Sequence, residues 1–163
     1  NAATATDATD ATAYVTKPGR SSCTVSYAAY DVMNFWEKPL EQLSNQEWEQ
    51  LCDGCGKCCA VKIRDDVTHE VFYTDLFCKL LDKATAQCAN YKNRKEFVPD
   101  CVSLTLENVY EIDWLPETCA YTKRARGEPL EWWHPLISGS KETVHSAGIS
   151  VRGRISGASI ADG

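Results

Sequence analysis

Four cysteines lie within eight residues in the segment Cys52-Asp-Gly-Cys55-Gly-Lys-Cys58-Cys59, and no other part of the chain narrows the structural possibilities as much. A thiolate is both a soft metal ligand and a nucleophile, so the pattern is compatible with metal binding, redox chemistry or disulfides. Two residues between cysteines let both sulfurs turn toward one ion, and Gly54 and Gly56 allow the tight left-handed turns that this needs. Metal binding is the favoured interpretation of this cysteine segment, residues 52–59.

Cys58 and Cys59 are adjacent, and adjacent side chains diverge in an extended or knuckle-like backbone. We therefore expect the two thiols to bind different metal centres. Consecutive Cα atoms are about 3.8 Å apart, so the two centres would be neighbours on the order of 10 Å apart or less, and neighbouring redox centres form a path for electrons. Eight thiols are enough for two four-thiolate sites, and the predicted ligands are Cys52, Cys55, Cys58, Cys59, Cys78, Cys88, Cys101 and Cys119.

Further short blocks accompany the cysteine segment, and with it they resemble the CxxCxxCC family, YkgJ-type zinc- or iron-chelating domains, in its YcgN-like branch. The resemblance covers about residues 35–154 and implies a metal or iron–sulfur site on the cysteines, without defining a biological role. Relatives usually carry Cys-x-Cys where this chain has Ala86-Gln87-Cys88, and Cys23 lies outside the family region. The blocks are Phe35-Trp36-Glu37, Tyr73-Thr74, Val98-Pro99-Asp100-Cys101, Trp114-Leu115-Pro116-Glu117-Thr118-Cys119-Ala120-Tyr121, Trp133-His134-Pro135-Leu136 and Gly148-Ile149-Ser150-Val151-Arg152.

Composition indicates an ordinary soluble chain of about one domain, with 163 residues, 44% of them hydrophobic and 25% charged. Nine cysteines are far more than usual, but the number is odd and four are clustered, which argues against an extracellular disulfide scaffold. The net charge of -6 and the pI of about 5.1 argue against nucleic-acid binding, which relies on concentrated Lys and Arg. The acidic balance suits docking on a basic protein surface, although a solvated face explains any single carboxylate more simply. No apolar run approaches the roughly 20 residues that cross a bilayer.

The chain is predicted to have three parts. Residues 1–34 begin with an Ala/Thr-rich tract that cannot build a core, and we expect this extension to dock on a partner. Residues 35–154 form the metal-binding domain, and residues 155–163 form a flexible tail. The first residue is Asn rather than Met, which suggests processing or truncation, for example removal of an organelle-targeting segment.

Local patterns predict short helices and short β-hairpins with much irregular structure, an α+β domain stapled by metal. Ser44 and Glu47 form a capping box that opens a helix leading into the cysteine segment. Alternating apolar residues predict strands, and the hairpins pair 61–63 with 71–73 and 76–81 with 88–91. Further helices are predicted over 105–109, 116–127 and 140–147.

Iron–sulfur clusters and zinc both accept four thiolates. Structural zinc knuckles usually come as two Cys-x2-Cys pairs, and the second pair is missing here. Three thiols at x2 spacing followed by distant ligands are closer to the start of a bacterial ferredoxin motif, although the Cys-Pro that completes that motif is absent. We therefore favour one or two iron–sulfur clusters, with zinc as the alternative.

The leading functional hypothesis is an iron–sulfur electron-transfer protein, an accessory or carrier subunit of a larger, respiratory-type assembly. The alternative is a structural zinc-binding interaction module with no redox role. No phosphate-binding loop or catalytic triad is evident, so we expect a carrier rather than an enzyme, and a cysteine beside His69, His134 or His145 is the remaining catalytic option. His134 is interpreted as a packed ring rather than a ligand. The predicted location is the mitochondrion, with a bacterial-type cytoplasm as the alternative.

Overall fold

A computed structural model describes residues 33–156 and the backbone of residues 159–160. The predicted extension, residues 1–34, lies almost entirely outside this described part, and so does Cys23. The eight predicted ligands all lie inside it. The described residues therefore span the whole of the predicted domain, residues 35–154.

Five short α-helices occur in the described residues, and none of them could cross a bilayer, being too short and too polar. The first begins as predicted, because the Glu47 backbone N–H donates to Ser44 Oγ over 3.2 Å and the Ser44 N–H donates to Glu47 Oε2 over 2.8 Å. The helices are α1 (Asn45–Gln50), α2 (Arg94–Phe97), α3 (Ala120–Ala125), α4 (Pro135–Ser138) and α5 (Thr143–Ser146), and 3-10 turns cover Phe35–Glu37, Leu40–Gln42 and Lys57–Cys59.

Two small sheets complete the fold and confirm the α+β class. In the three-stranded sheet, β2 (Val71–Cys78) lies between β1 (Ala60–Arg64), to which it is antiparallel, and β5 (Ser159–Ile160), to which it is parallel. The two-stranded sheet pairs β3 (Leu81–Asp82) with β4 (Gln87–Cys88) in antiparallel fashion. Strands this short are not stable alone, so they depend on packing against the rest of the domain.

The first predicted hairpin is confirmed and the second is wrong in its bounds. Asp65 makes the turn of the first, because its Oδ1 accepts the backbone N–H groups of Val67 and Thr68 over 2.8 and 2.7 Å. Strand β2 continues to Cys78, so residues 76–78 belong to the first hairpin, and the second is the shorter pair β3 and β4.

The predicted helix over residues 105–109 is also wrong. Asn108 Oδ1 accepts the Thr105 backbone N–H over 2.8 Å, and Asn108 Nδ2 donates to the Ser103 carbonyl over 2.8 Å. These bonds cap a turn that the Val109 N–H closes by donating to the Thr105 carbonyl over 3.0 Å, and the segment continues as consecutive turns instead of a helix.

The buried apolar residues form three small clusters instead of one core, and a cysteine belongs to each. Cys59 packs against the strand cluster, Cys119 packs against the helix cluster, and Cys55 is itself a member of the Trp133 cluster. The strand cluster is Ala60, Phe77, Leu81, Ala86, Val151 and Ile155; the helix cluster is Leu40, Leu51, Val109 and Tyr121; the Trp133 cluster is Cys55, Trp133 and Val144. Apolar packing therefore holds Cys55 and Cys59 of the cysteine segment, and also the distant Cys119, against buried residues.

The segment after α5 closes on the cysteine segment. The Val151 backbone N–H donates to the Cys55 carbonyl over 2.8 Å. Gly56 has a φ of +73°, and a Cβ at this position would lie 2.7 Å from both the Ala86 carbonyl oxygen and Val151 Cγ2. Only glycine fits this backbone geometry and this close approach without displacing its neighbours.

Gly56→Ala is expected to destabilise the protein much more than Gly127→Ala. Both glycines have a φ of +73°, but a Cβ at Gly127 meets nothing within 4 Å. The control should lose about 1 kcal/mol through backbone strain alone, whereas Gly56→Ala adds roughly 1–3 kcal/mol of overpacking. Chemical denaturation of both variants checks this, and equal losses would contradict the close contact described above.

Candidate metal centre

All eight cysteines of the described residues are free thiols. Four lie in the cysteine segment, where Cys52 follows α1, Cys55 is buried, and Cys58 and Cys59 lie in the 3-10 turn. The other four come from separate elements: Cys78 ends β2, Cys88 ends β4, Cys101 follows α2, and Cys119 precedes α3. Their assignment as metal ligands stays a prediction.

A pocket of about 630 Å³ collects six of the eight thiols along its wall. Cys55 and Cys119 are not among its lining residues, but both lie close enough to Cys52 for the thiolate charges to interact. The lining cysteines are Cys52, Cys58, Cys59, Cys78, Cys88 and Cys101. Cys52 and Cys101 thus line the same cavity although they are 49 positions apart in the sequence.

Within the described part of the chain, no three Cys, His, Asp or Glu side chains converge closely enough to coordinate one ion. The four sulfurs of a tetrahedral zinc site lie about 3.8 Å from one another, as a Zn–S distance of about 2.3 Å requires. The thiols are instead distributed around the pocket. The donor set fits thiolate-bound metal in its chemistry, and the cavity has room for a group larger than one ion.

Asp53 shapes the first turn of the cysteine segment. Its Oδ1 accepts the Cys55 backbone N–H over 3.0 Å, and Gly54 follows with a φ of +74°, so the chain reverses tightly between Cys52 and Cys55. Asp53 is only 7% exposed and lines the pocket, and its Oδ2 is buried without a hydrogen-bond partner. A buried carboxylate oxygen without a partner is costly, and a cation in the pocket would offset that cost.

Burial disfavours the thiolate form of the first two cysteines in the segment. It raises the pKa of Cys52 to about 12, and the charges of Cys58, Asp53 and Cys119 add to the effect. It also raises the pKa of Cys55, with Asp53 the next cause. Cys52 is nevertheless exposed to solvent, because it lines the pocket while protein atoms surround its other sides. Metal binding would have to offset this penalty, because thiolates are the ligating form.

The vicinal thiols do not diverge as fully as the sequence predicts, because a 3-10 turn replaces an extended backbone at Lys57–Cys59. A hydrogen bond from Cys59 lowers the pKa of Cys58 to about 7, and the same bond raises the pKa of Cys59. The two thiols therefore contact each other. Their other neighbours differ, however, since Cys59 lies near Cys78 and Cys88 and packs against the strand cluster.

Lys62 supplies a positive charge beside the vicinal thiols. Its Nζ donates to the carbonyls of Cys58 and Ala60 over 2.9 and 2.8 Å, and lies 4.5 Å from the Trp114 ring centroid and 5.6 Å from that of Tyr73. Burial lowers the pKa of Lys62, and the thiolate charges of Cys58, Cys59 and Cys55 oppose that change. Aromatic faces and carbonyls thus fix a cation next to the thiols.

His134 is a packed residue and not a candidate ligand in this structure. Its Nε2 lies 3.0 Å from the Leu51 carbonyl, and its Nδ1 accepts the Leu136 N–H over 3.1 Å, so both ring nitrogens have partners. These contacts fit the neutral ring with the proton on Nε2, and burial lowers the pKa of His134 accordingly. The ring is only 1% exposed. The interpretation of His134 as a hydrogen-bonded ring is confirmed.

The sequence interpretation missed Asp53, Lys62 and Arg94 as parts of the site. Asp53 had a recognisable signal, because an Asp two residues before a buried N–H often forms this turn. Arg94 had none: its guanidinium lies 3.9 Å from the Tyr91 ring centroid and donates to Ser103 Oγ over 3.0 Å at the pocket wall. Only the folded chain brings it beside Cys101, where its charge opposes the rise that burial causes in the pKa of that thiol.

Comparison with known proteins agrees with the geometry of the site. Residues 51–120 match the profile of the CxxCxxCC family, described as "Putative zinc- or iron-chelating domain". A UPF0260 protein of Brucella canis is 59% identical over 122 residues, which cover 74% of this chain and 80% of the relative. UPF0260 proteins of Gluconacetobacter diazotrophicus and Mesorhizobium japonicum are 54% and 57% identical, covering 76% and 74% of this chain and 78% and 82% of the relatives. No solved structure matches the chain.

The predicted mitochondrial location is wrong. These relatives come from bacteria, and they match most of the chain at more than half identity. The mitochondrial assignment depended on analogy with soluble respiratory carriers and on the N-terminal extension, neither of which outweighs the bacterial relatives. The alternative of a bacterial-type cytoplasm is consistent with them.

Cys55→Ser is expected to lose bound metal, whereas His134→Ala is expected to keep it. Cys55→Ser should lose at least about half of the metal and melt at a much lower temperature, because metal binding to structural thiolate sites is worth roughly 10 kcal/mol or more. His134→Ala should lose on the order of 3 kcal/mol of stability while keeping its metal. The substitution leaves a cavity and removes the hydrogen-bond partner of the Leu51 carbonyl and of the Leu136 N–H. Elemental analysis and thermal melting measure both. A Cys55→Ser protein with full metal content would count against the site.

Proposed function

Because the chain belongs to the UPF0260 family and carries its zinc- or iron-chelating CxxCxxCC domain, we propose that it is an iron–sulfur protein that transfers single electrons. The observation that carries this proposal is the convergence on one pocket of six cysteines, which come from the cysteine segment, β2, β4 and the loop after α2. Iron–sulfur clusters are held by cysteine thiolates, and several thiols without an oxygen-rich ligand shell favour iron–sulfur or zinc over harder metals.

The size of the pocket favours a cluster over a single zinc ion. A cavity of about 630 Å³ with thiols spread along its wall suits a group with several metal atoms better than one tetrahedral ion. The spacing of Cys52, Cys55 and Cys58 supports the same interpretation, because it matches the first three ligands of bacterial ferredoxins. Zinc remains the alternative that a metal analysis separates.

The surrounding residues suit a redox centre. When bound, an iron–sulfur cluster would supply one-electron oxidation and reduction. Trp133 and Val144 pack around Cys55 and keep water from that side of the site, while Lys62 holds a positive charge against the thiolates. Hydrophobic shielding and nearby charge are among the factors that set the potential of such centres.

In this proposal the protein is a carrier or accessory subunit of a larger assembly and not a catalyst. Within the described residues, no histidine hydrogen-bonds to a cysteine: His145 bonds to Ser150 Oγ over 2.7 Å, and His134 is bonded as described above. The net charge of -6 suits a partner with a basic docking surface. A respiratory-type complex is the kind of assembly that we propose.

Absorption and electron paramagnetic resonance (EPR) spectroscopy test the proposal on protein purified without oxygen. The expected result is visible absorbance that bleaches with dithionite, an EPR signal in the reduced state, and iron and sulfide in comparable amounts. A colourless protein with stoichiometric zinc would overturn the electron-transfer proposal and establish the structural zinc module instead.

Lys62→Met is expected to lower the reduction potential of the bound cluster. A fixed positive charge stabilises the reduced form, which is more negative, so its removal should lower the potential by roughly 60 mV, equal to about 1.4 kcal/mol. Lys95→Met removes the same charge from an exposed position in α2 and is the matched control. Potentiometric titration measures both variants, and equal shifts would assign the effect to net charge alone.

A further inference from the structure

Two hairpins bring Cys59, Cys78 and Cys88 to the same end of the sheets. The antiparallel register pairs Ala60 with Phe77, so Cys59 and Cys78, the next residues outward, lie at neighbouring ends of the paired segment. Cys88 pairs with Leu81, three residues after Cys78, and the Ala89 N–H donates to the Leu80 carbonyl over 2.7 Å. Backbone pairing therefore sets Cys59 beside Cys78, and the Cys88 thiol also lies near Cys59.

Cys101 belongs with this group by position. It lines the same pocket, and its thiol lies near Cys78 as well as near Cys58. Arg94 positions the loop, because its guanidinium donates to Tyr91 O over 2.6 Å and to Ser103 Oγ over 3.0 Å on either side of Cys101 in the chain. A fourth thiol is thereby held beside the hairpin group.

A different set of contacts groups Cys119 with the start of the cysteine segment. Lys57 Nζ donates to Thr118 Oγ1 over 3.3 Å, which ties the segment to the residue before Cys119. The Tyr121 hydroxyl donates to the Trp48 carbonyl over 2.9 Å, which ties α3 to α1 just before Cys52. The charges of Cys58 and Cys119 both act on Cys52, in agreement with this grouping.

We propose that Cys52, Cys55, Cys58 and Cys119 form one four-thiolate centre, and that Cys59, Cys78, Cys88 and Cys101 form a second one. This assignment rests on the proposed function only in requiring thiolate-bound metal, iron or zinc. It requires the four thiols of each group to move closer together on binding, because no three metal-ligating side chains of the described residues converge closely enough to coordinate one ion. The contact between Cys58 and Cys59 then marks the boundary between two adjacent centres. The first centre is built by helices and the second by hairpins.

Metal analysis of paired variants tests the assignment. Cys119→Ser and Cys88→Ser should each lose about half of the bound metal, because each removes one ligand from one of two four-ligand sites. Cys55→Ser combined with Cys119→Ser should lose no more than either alone, whereas Cys119→Ser combined with Cys88→Ser should lose nearly all. A cross-group double variant that loses no more than the singles would overturn the assignment.

A second measurement on the unaltered holoprotein avoids variants that fail to fold. The protein is treated briefly with a chelator, exposed thiols are alkylated, and intact molecules and peptides are weighed by mass spectrometry. Cys23 is left out of the count because it belongs to neither proposed centre; molecules labelled at four of the other eight cysteines are expected, at Cys58 but not at Cys59 or the reverse. Release of all eight thiols together would refute two separate centres. A zinc protein that labels in two groups of four would refute electron transfer while supporting the assignment.

Discussion

The close contact between the cysteine segment and the chain after α5 is the constraint on which the site depends. Gly56 approaches Ala86 and Val151 so closely that a side chain cannot be accommodated, and the Val151 N–H bonds to the Cys55 carbonyl. This contact joins the strand cluster to the Trp133 cluster, and Cys59 and Cys55 lie on its two sides. Three modest apolar clusters, none large enough to dominate, thus converge where the thiols are. The domain is organised to present cysteines rather than to bury one continuous core.

The negative charges of Asp53 and of ionised thiols would destabilise the folded protein unless the site contains a cation. Several thiols lie near the buried carboxylate of Asp53, whose Oδ2 lacks a partner, and burial raises the pKa values of Cys52, Cys55 and Cys119. Lys62 offsets only part of the negative charge that ionised thiols would bring. A multivalent metal centre would compensate the remainder, and its binding would then contribute directly to the stability of the fold. This coupling explains how short strands and helices of four to six residues can persist in one domain.

Local signals in the sequence predicted local structure well. The Ser44 capping box and the first hairpin both follow from spacing over a few residues. The errors arose at residues 105–109, where a capped turn does not continue as a helix, and at the second hairpin, whose bounds the pairing of β3 with β4 sets. Lys62 could not be placed from sequence because its position depends on Trp114, 52 residues later in the chain. Arg94 could not be placed because only the fold shows that its charge lies beside Cys101. The location was wrong for a different reason, since it came from analogy and not from any physical pattern.

The bond from Val151 to Cys55 also has a consequence for biosynthesis. Val151 follows Cys55 by 96 residues. The cysteine segment therefore leaves the ribosome long before the segment that contains Val151 is synthesised. The nascent polypeptide therefore exposes Cys52 through Cys59 as an open thiol cluster during translation. Any metal that requires the finished arrangement would have to wait until Val151 is in place, and until then the sulfurs are open to oxidation.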